Sequence, residues 1–208
     1  MGLHAGFRYA ALVAAGALLS LLATGCVVEK KGANGNEDVK IGTPLGGLHV
    51  KTNQNVVAAN IGLPIYPGAV PEKKNTGSDD SNAADVNMSF GNFHLRVNAM
   101  SYETTDAPDK VQAFYENAMG QYGDVLQCQG KKALGTVTRT HQGLTCNEDG
   151  GNNVKMNTDV DGSKVELKAG SKQHQHIVAI DPKGTGTKFG LVELELPSGD
   201  WLNDKETN

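Results

Sequence analysis

The chain has 208 residues, a formal net charge of −4, 26 glycines and an aromatic content of 5%. That length fits one medium domain or two small ones, and a glycine-rich, aromatic-poor chain disfavours a large helical bundle. The acidic balance speaks against a nucleic-acid-binding domain, which carries a basic patch; Lys131, Lys132, Lys164, Lys168 and Lys172 are scattered as on a solvated surface.

Residues 1–25 have three parts. "MGLHAGFR" carries Arg8, "YAALVAAGALLSLLA" is apolar except for Gly16 and Ser20, and small residues lead into Cys26. This is the order of a secretory signal peptide. Its apolar run of about 15 residues is shorter than the ~20 that a membrane-spanning helix needs, with an uncleaved anchor helix as the alternative. "ATGC", Ala23 to Cys26, resembles the lipobox of bacterial lipoproteins. The resemblance implies a diacylglyceryl group on the Cys26 thiol, cleavage between Gly25 and Cys26, and an N-acyl chain on the new terminus. The sequence departs from the common pattern in having Ala23 three positions before the cysteine, with Leu22 one step further back. An ordinary secretory signal with a chance cysteine is the competing reading. Val27, not aspartate, follows Cys26, which resembles outer-membrane lipoproteins facing the periplasm.

Residues 26–47, rich in Gly, Asn, Lys and Glu, are expected to form a flexible tether reaching about 25 Å. A single domain is expected over 48–208. "LHVKT" alternates as a strand does. "NQNVVAANIG" fits a short helix or a strand extension. In "LPIYPGAV" the prolines and Gly68 predict a fixed turn with Ile65 and Tyr66 beneath it in the core. "PEKKNTGSDDSNAA" is polar throughout. Val86, Met88 and Phe90, then Phe93, Leu95, Val97 and Ala99, alternate with polar neighbours, and Gly91–Asn92 between them suits a tight hairpin turn.

"DAPDKVQAFYENAMGQYG" is the clearest helix. Asp106 is a candidate N-cap, Pro108 suits the first turn, and Asp109 places negative charge where the helix dipole favours it. Val111, Phe114, Tyr115, Ala118, Met119 and Tyr122 share one face, and Gly123 can end the helix. That stripe suits core packing better than a ligand groove. Toward the C-terminus, "KVELKAG", "HIVAID" and "TKFGLVELEL" are strand candidates, with turns at "DVDG" and "DPKGTG". Short turns between strands favour antiparallel pairing. The expected fold is α+β: a mainly antiparallel sheet with one main amphipathic helix on a face.

With Cys26 assigned to lipid, Cys128 and Cys146 make an even pair that fits one disulfide in an oxidising compartment. The chain has no C-x-x-C spacing to favour a redox or metal pair.

Signals for chemistry are sparse. In "QHQHI", His174 and His176 point to the same side of a strand and can share a metal ion. A third ligand, such as His141, His94 or His49, would have to come from the fold; two polar side chains on a wet edge strand are the alternative. In "NTDVDGSKVELK", Asn157, Asp159, Asp161 and Gly162 match early positions of a calcium-binding loop, but Lys168 stands where a bidentate glutamate is needed. A β-turn is the better reading. There is no G-x-S-x-G nucleophile motif, "PKGTGTKF" lacks the end of a phosphate loop, and Glu148–Asp149 suits a solvated loop.

The segments "GLPIYPGA", "TDAPDKVQAFYENAMGQYG" and "GTKFGLVELEL" resemble stretches of exported bacterial proteins and lipoproteins that lack an assigned activity, across residues 48–196. No catalytic residue follows from that likeness. The expectation is a lipid-anchored cell-envelope protein, a binding or structural module held to a membrane through Cys26. An envelope partner protein, no nucleic acid, and no cofactor beyond the acyl chains are expected. The alternative is a metal-dependent or hydrolytic envelope enzyme built on His174 and His176.

Overall fold

The expected hairpin forms around Gly91–Asn92, where β5 (Ala83–Phe90) and β6 (Phe93–Thr104) pair with Phe90 opposite Phe93. (β-Strands are numbered in chain order.) Gly91 supplies the positive φ, 56°, that such a tight turn requires. This is a computed structural model, and it describes residues 27–33, 36–72, 82–146 and 163–197.

β6 is the longest strand and joins two halves of one eleven-stranded antiparallel sheet. On one side β5 is followed by β3 (Gly46–Lys51), β2 (Asn36–Thr43) and β1 (Val27–Ala33). On the other side come β11 (Gly186–Glu195), β10 (His174–Lys183), β9 (Val165–Gly170), β7 (Leu126–Gln129) and β8 (Lys132–Leu134). Past Met100, where β5 has ended, β4 (Val70–Pro71) takes its place beside β6.

Two helices cover one face. α1 (Gln54–Ile61) resolves the ambiguous "NQNVVAANIG": the Asn53 side chain accepts from the amides of Asn55 and Val56, and Gly62 ends the helix at φ 72°. An N-cap of this kind offsets donors that the first turn leaves open. α2 (Pro108–Met119) is the expected main helix, continued by a 3₁₀ turn over Gly120–Tyr122 and closed at Gly123 with φ 118°. Asp106 is not its cap. Ala107 holds that position without a side-chain bond, while the Asp106 carboxylate accepts from the Tyr66 hydroxyl at 2.8 Å and from Lys110 at 3.1 Å. Those two bonds, Tyr66 first, hold the Asp106 carboxyl below its usual range.

The main core lies between these helices and the β6–β11–β10–β9 half of the sheet. Val111, Tyr115 and Met119 of α2 and Val57 and Ile61 of α1 are fully buried against Met100, Tyr102, Val178, Phe189 and Leu191. Tyr102 stacks on Phe189 with centroids 5.6 Å apart, and Tyr115 tilts against the same ring at 5.6 Å. The Tyr115 hydroxyl is satisfied inside the core, donating to the carbonyl of Pro64 and accepting from the amide of Tyr66, each at 3.2 Å. Burial raises the pKa of that hydroxyl. Tyr66 reaches the core as expected, whereas Ile65 is 49% exposed. Tyr66 is held inward by edge-on contacts with Phe114 and Phe189 and by its hydroxyl bond to Asp106.

The sulfurs of Cys128 and Cys146 lie 2.04 Å apart, as a disulfide requires. They belong to a second, smaller core with Leu126 and Leu144, flanked by Ala133 and Val137. Leu126 is opposite Lys168 and Cys128 opposite Glu166, so this cluster sits on the sheet face away from the helices.

Two differences from the sequence reading stand out. The helical layer holds the short α1 beside the one main helix expected. The stretch 26–47, expected as a tether, supplies β1 and β2 from Val27 onward. Val39 and Ile41 alternate with Asp38 and Lys40, which is enough for a strand when β3 offers an edge to pair with. The signal segment, Cys26, the "DVDG" turn, Asn157, Asp159, Asp161, Gly162, Glu148 and Asp149 lie outside the described residues.

Replacing both Cys128 and Cys146 by alanine frees a closed loop with a sequence separation of 18. The expected cost is about 3 kcal/mol of unfolding free energy, read from urea titration, with a similar loss on reducing the wild-type chain. An unchanged urea midpoint would show that the bridge constrains nothing.

Candidate functional site

β10 and β11 run side by side with His174 opposite Glu195 and His176 opposite Glu193. On its other edge β11 sets Glu193 opposite Asn98 of β6. Side chains paired across antiparallel strands share a face, so all five groups stand on the helix side of the sheet, at the border of the main core. The two histidines do share a side, as their spacing predicted, with ring centroids 5.2 Å apart.

Their environments differ sharply. His176 is 4% exposed and stacks on Tyr122, ring centroids 3.6 Å apart and planes 23° from parallel. The Tyr122 hydroxyl donates to the carbonyl of Gly62 at 2.7 Å, which fixes the stacking partner at the end of α1. Burial, and then the nearby His174, bring its pKa down from 6.5 to about 4, so the ring is neutral at pH 7.

His174 is half-exposed. Its Nε2 lies 3.0 Å from Oε1 of Glu193, whose side chain is 6% exposed. Asn98 donates to the other Glu193 oxygen at 2.6 Å. A carboxylate this deep is costly unless paired, and these two bonds are its partners. One atom from each of His174, Glu193 and Glu195 lies within 4.8 Å of the others, making them the one group of His, Cys and acidic side chains among the described residues placed to hold a metal ion. One imidazole and two carboxylates form a donor set suited to a divalent transition metal.

The candidate group therefore takes only His174 of the expected pair, and Glu193 and Glu195 of β11 stand where His176 and a further histidine were expected. His49 pairs with Asp38 at 2.6 Å, His141 with Asp124 at 2.5 Å, and His94 is exposed. Hydrogen bonds from His49 to Asp38, and from the backbone and ring of His141 to Asp124, keep both carboxyls below their usual range. Glu193 and Glu195 had a faint signal in the alternation of "LVELEL", but only strand register brings them to the histidines. Lys168, at the failed calcium-loop position, is buried in β9, with its Nζ 3.6 Å from Glu166.

Two buried side-chain polar atoms among the described residues lack a hydrogen-bond partner: Asn98 Oδ1 and His176 Nδ1. Both residues border Glu193. A cleft of about 390 Å³ elsewhere, lined by Val70, Glu103, Thr187 and Lys188, gathers no comparable set, and Lys188 is bound to Glu72 at 2.6 Å.

No family model, curated protein or solved structure matches this chain.

The low pKa of His176 has a definite sign in stability. The unfolded chain takes up a proton near pH 6.5 and the folded chain only near pH 4, so stability falls as pH drops through that window. In His176→Phe, which keeps a ring against Tyr122 but cannot titrate, the urea midpoint should vary less between those pH values than in the wild type. Parallel profiles would mean that folding leaves the His176 pKa unchanged.

Proposed function

We propose that this chain is a lipid-anchored cell-envelope protein whose folded part is a binding module held at a membrane surface, with the outer membrane facing the periplasm as its location. The observation that carries this reading is the lipobox-like "ATGC", which closes an apolar run at Cys26. Cleavage before Cys26 would remove 1–25 and leave every described strand in place. The pairing of Cys128 with Cys146 suits an exported, oxidising location. No helix among the described residues is long and apolar enough to cross a membrane. Acyl chains would supply attachment instead, each buried CH₂ contributing about 0.8 kcal/mol.

A second reading is favoured by the cluster of His174, Glu193 and Glu195: the module binds a divalent metal, and a metal-dependent envelope activity would then start from this site. The unpartnered Asn98 Oδ1 and His176 Nδ1 nearby support it, since buried polar atoms without partners are uncommon.

In native cells, Cys26→Ser should abolish incorporation of labelled palmitate and release the protein from membranes or leave it unprocessed; equal labelling of the variant would refute the anchor. For the metal, elemental analysis of purified protein should find one divalent ion per chain, lost in Glu193→Gln and in His174→Ala. Metal-free wild-type protein after incubation with zinc or manganese would remove the second reading.

A further inference from the structure

The sheet has an apolar face that the helices do not cover. Across β1, β2, β3, β5 and β6, residues Val28, Ile41, Leu48, Met88 and Leu95 lie opposite one another in register, forming a row on the side away from α1 and α2. None belongs to either buried core. In this half of the sheet the helix side is polar instead, with Asp85, Asn87, His49 and Lys51.

This row ends at one corner. The β2–β3 turn carries Leu45, 83% exposed, and Phe90, 41% exposed, ends β5 at the β5–β6 turn. The two turns touch, the Gly91 amide donating to the Leu45 carbonyl at 3.3 Å. Val27 pairs with Gly42, next to the Leu45 turn, and Val28 is 62% exposed. Three of the six exposed large hydrophobic side chains among the described residues therefore gather at the corner where β1 begins.

We propose that this corner is a membrane-seating surface, in which Leu45, Phe90 and Val28 enter the headgroup–acyl boundary of the bilayer. The inference rests on lipidation of Cys26. A residue spans only about 3.4 Å in a strand, so acyl chains on Cys26 would leave the protein beside Val28. With β1 paired from Val27 onward there is no slack to lift the domain, and whichever part lies nearest Cys26 meets the lipid first. That part is the corner that carries Leu45, Phe90 and Val28. Amphipathic surfaces of this kind bind the interface through their apolar side chains.

The test places a tryptophan reporter at the corner of the full chain. Trp201, the only tryptophan, is replaced by Phe, and Leu45→Trp, Phe90→Trp or Ile65→Trp is added. Ile65 is exposed to a similar degree as Phe90 but lies in the helix layer. The protein is isolated from native envelopes and placed in vesicles of phosphatidylethanolamine and phosphatidylglycerol, with phospholipid brominated in its acyl chains as quencher. Mass spectrometry reads residue 26 in the same samples. Tryptophan at 45 and 90 should shift to the blue and lose emission to the brominated lipid, while tryptophan at 65 should do neither. Water-like, unquenched emission at 45 and 90 in chains that carry lipid on Cys26 overturns the seating surface and leaves the anchor standing. Quenching at 45 and 90 in chains without that lipid supports the surface and removes the anchor. Cross-linking between copies through position 45, without quenching, assigns the corner to a second copy and overturns the proposal.

Discussion

The alternation of side chains along β6 sets the rest of the structure. Asn98, Met100 and Tyr102 turn toward the helices, while Val97, Ala99 and Ser101 turn away. Because β6 pairs with β5 on one edge and β11 on the other, its register fixes which residues of both halves reach the core. A slip of one residue would exchange the two sets and place Met100 and Tyr102 on the wrong face. The aromatic packing of Tyr102, Phe189 and Tyr115 holds that register, since large rings bury much area and fit in few arrangements.

The helix-facing side changes character along the strands. Around Met100 and Leu191 it is apolar and packed under α1 and α2; around Asn98 and Glu193 it becomes polar while still buried. That border is where the candidate site sits. A carboxylate there needs partners, and the cross-strand neighbours of Glu193 are those the register brings: Asn98 on one side and the His174–His176 pair on the other. His176 is held neutral against Tyr122, so that His174 alone of the two is bonded to the carboxylate.

The opposite face has two treatments. Near β7 and β9 the loop that carries Cys146 folds over it and buries Leu126, Cys128 and Leu144. In the N-terminal half no described segment does so, and the apolar row from Val28 to Leu95 stays partly exposed. Over these five strands the sheet is polar on its helix side and apolar on its outer side, the reverse of the half that holds the main core.

Much was legible in the sequence for local reasons. The Gly91–Asn92 turn, the α2 stripe from Val111 to Tyr122, the alternation of the C-terminal strands and the pairing of the two later cysteines all depend on short-range pattern or simple counting. Other features depend on residues far apart in the chain. β2 gains its identity from the edge of β3 and β1 from that of β2, Asp106 was drawn from its capping role by Tyr66 forty residues away, and Glu193 joined the histidines only through antiparallel register. By itself the sequence determined periodicity and turn positions, because each is written in neighbouring residues. The tertiary structure decided which charged groups meet, which histidine is buried and which apolar face no described segment covers, because burial and cross-strand contact are properties of pairs that the chain brings together only when it folds.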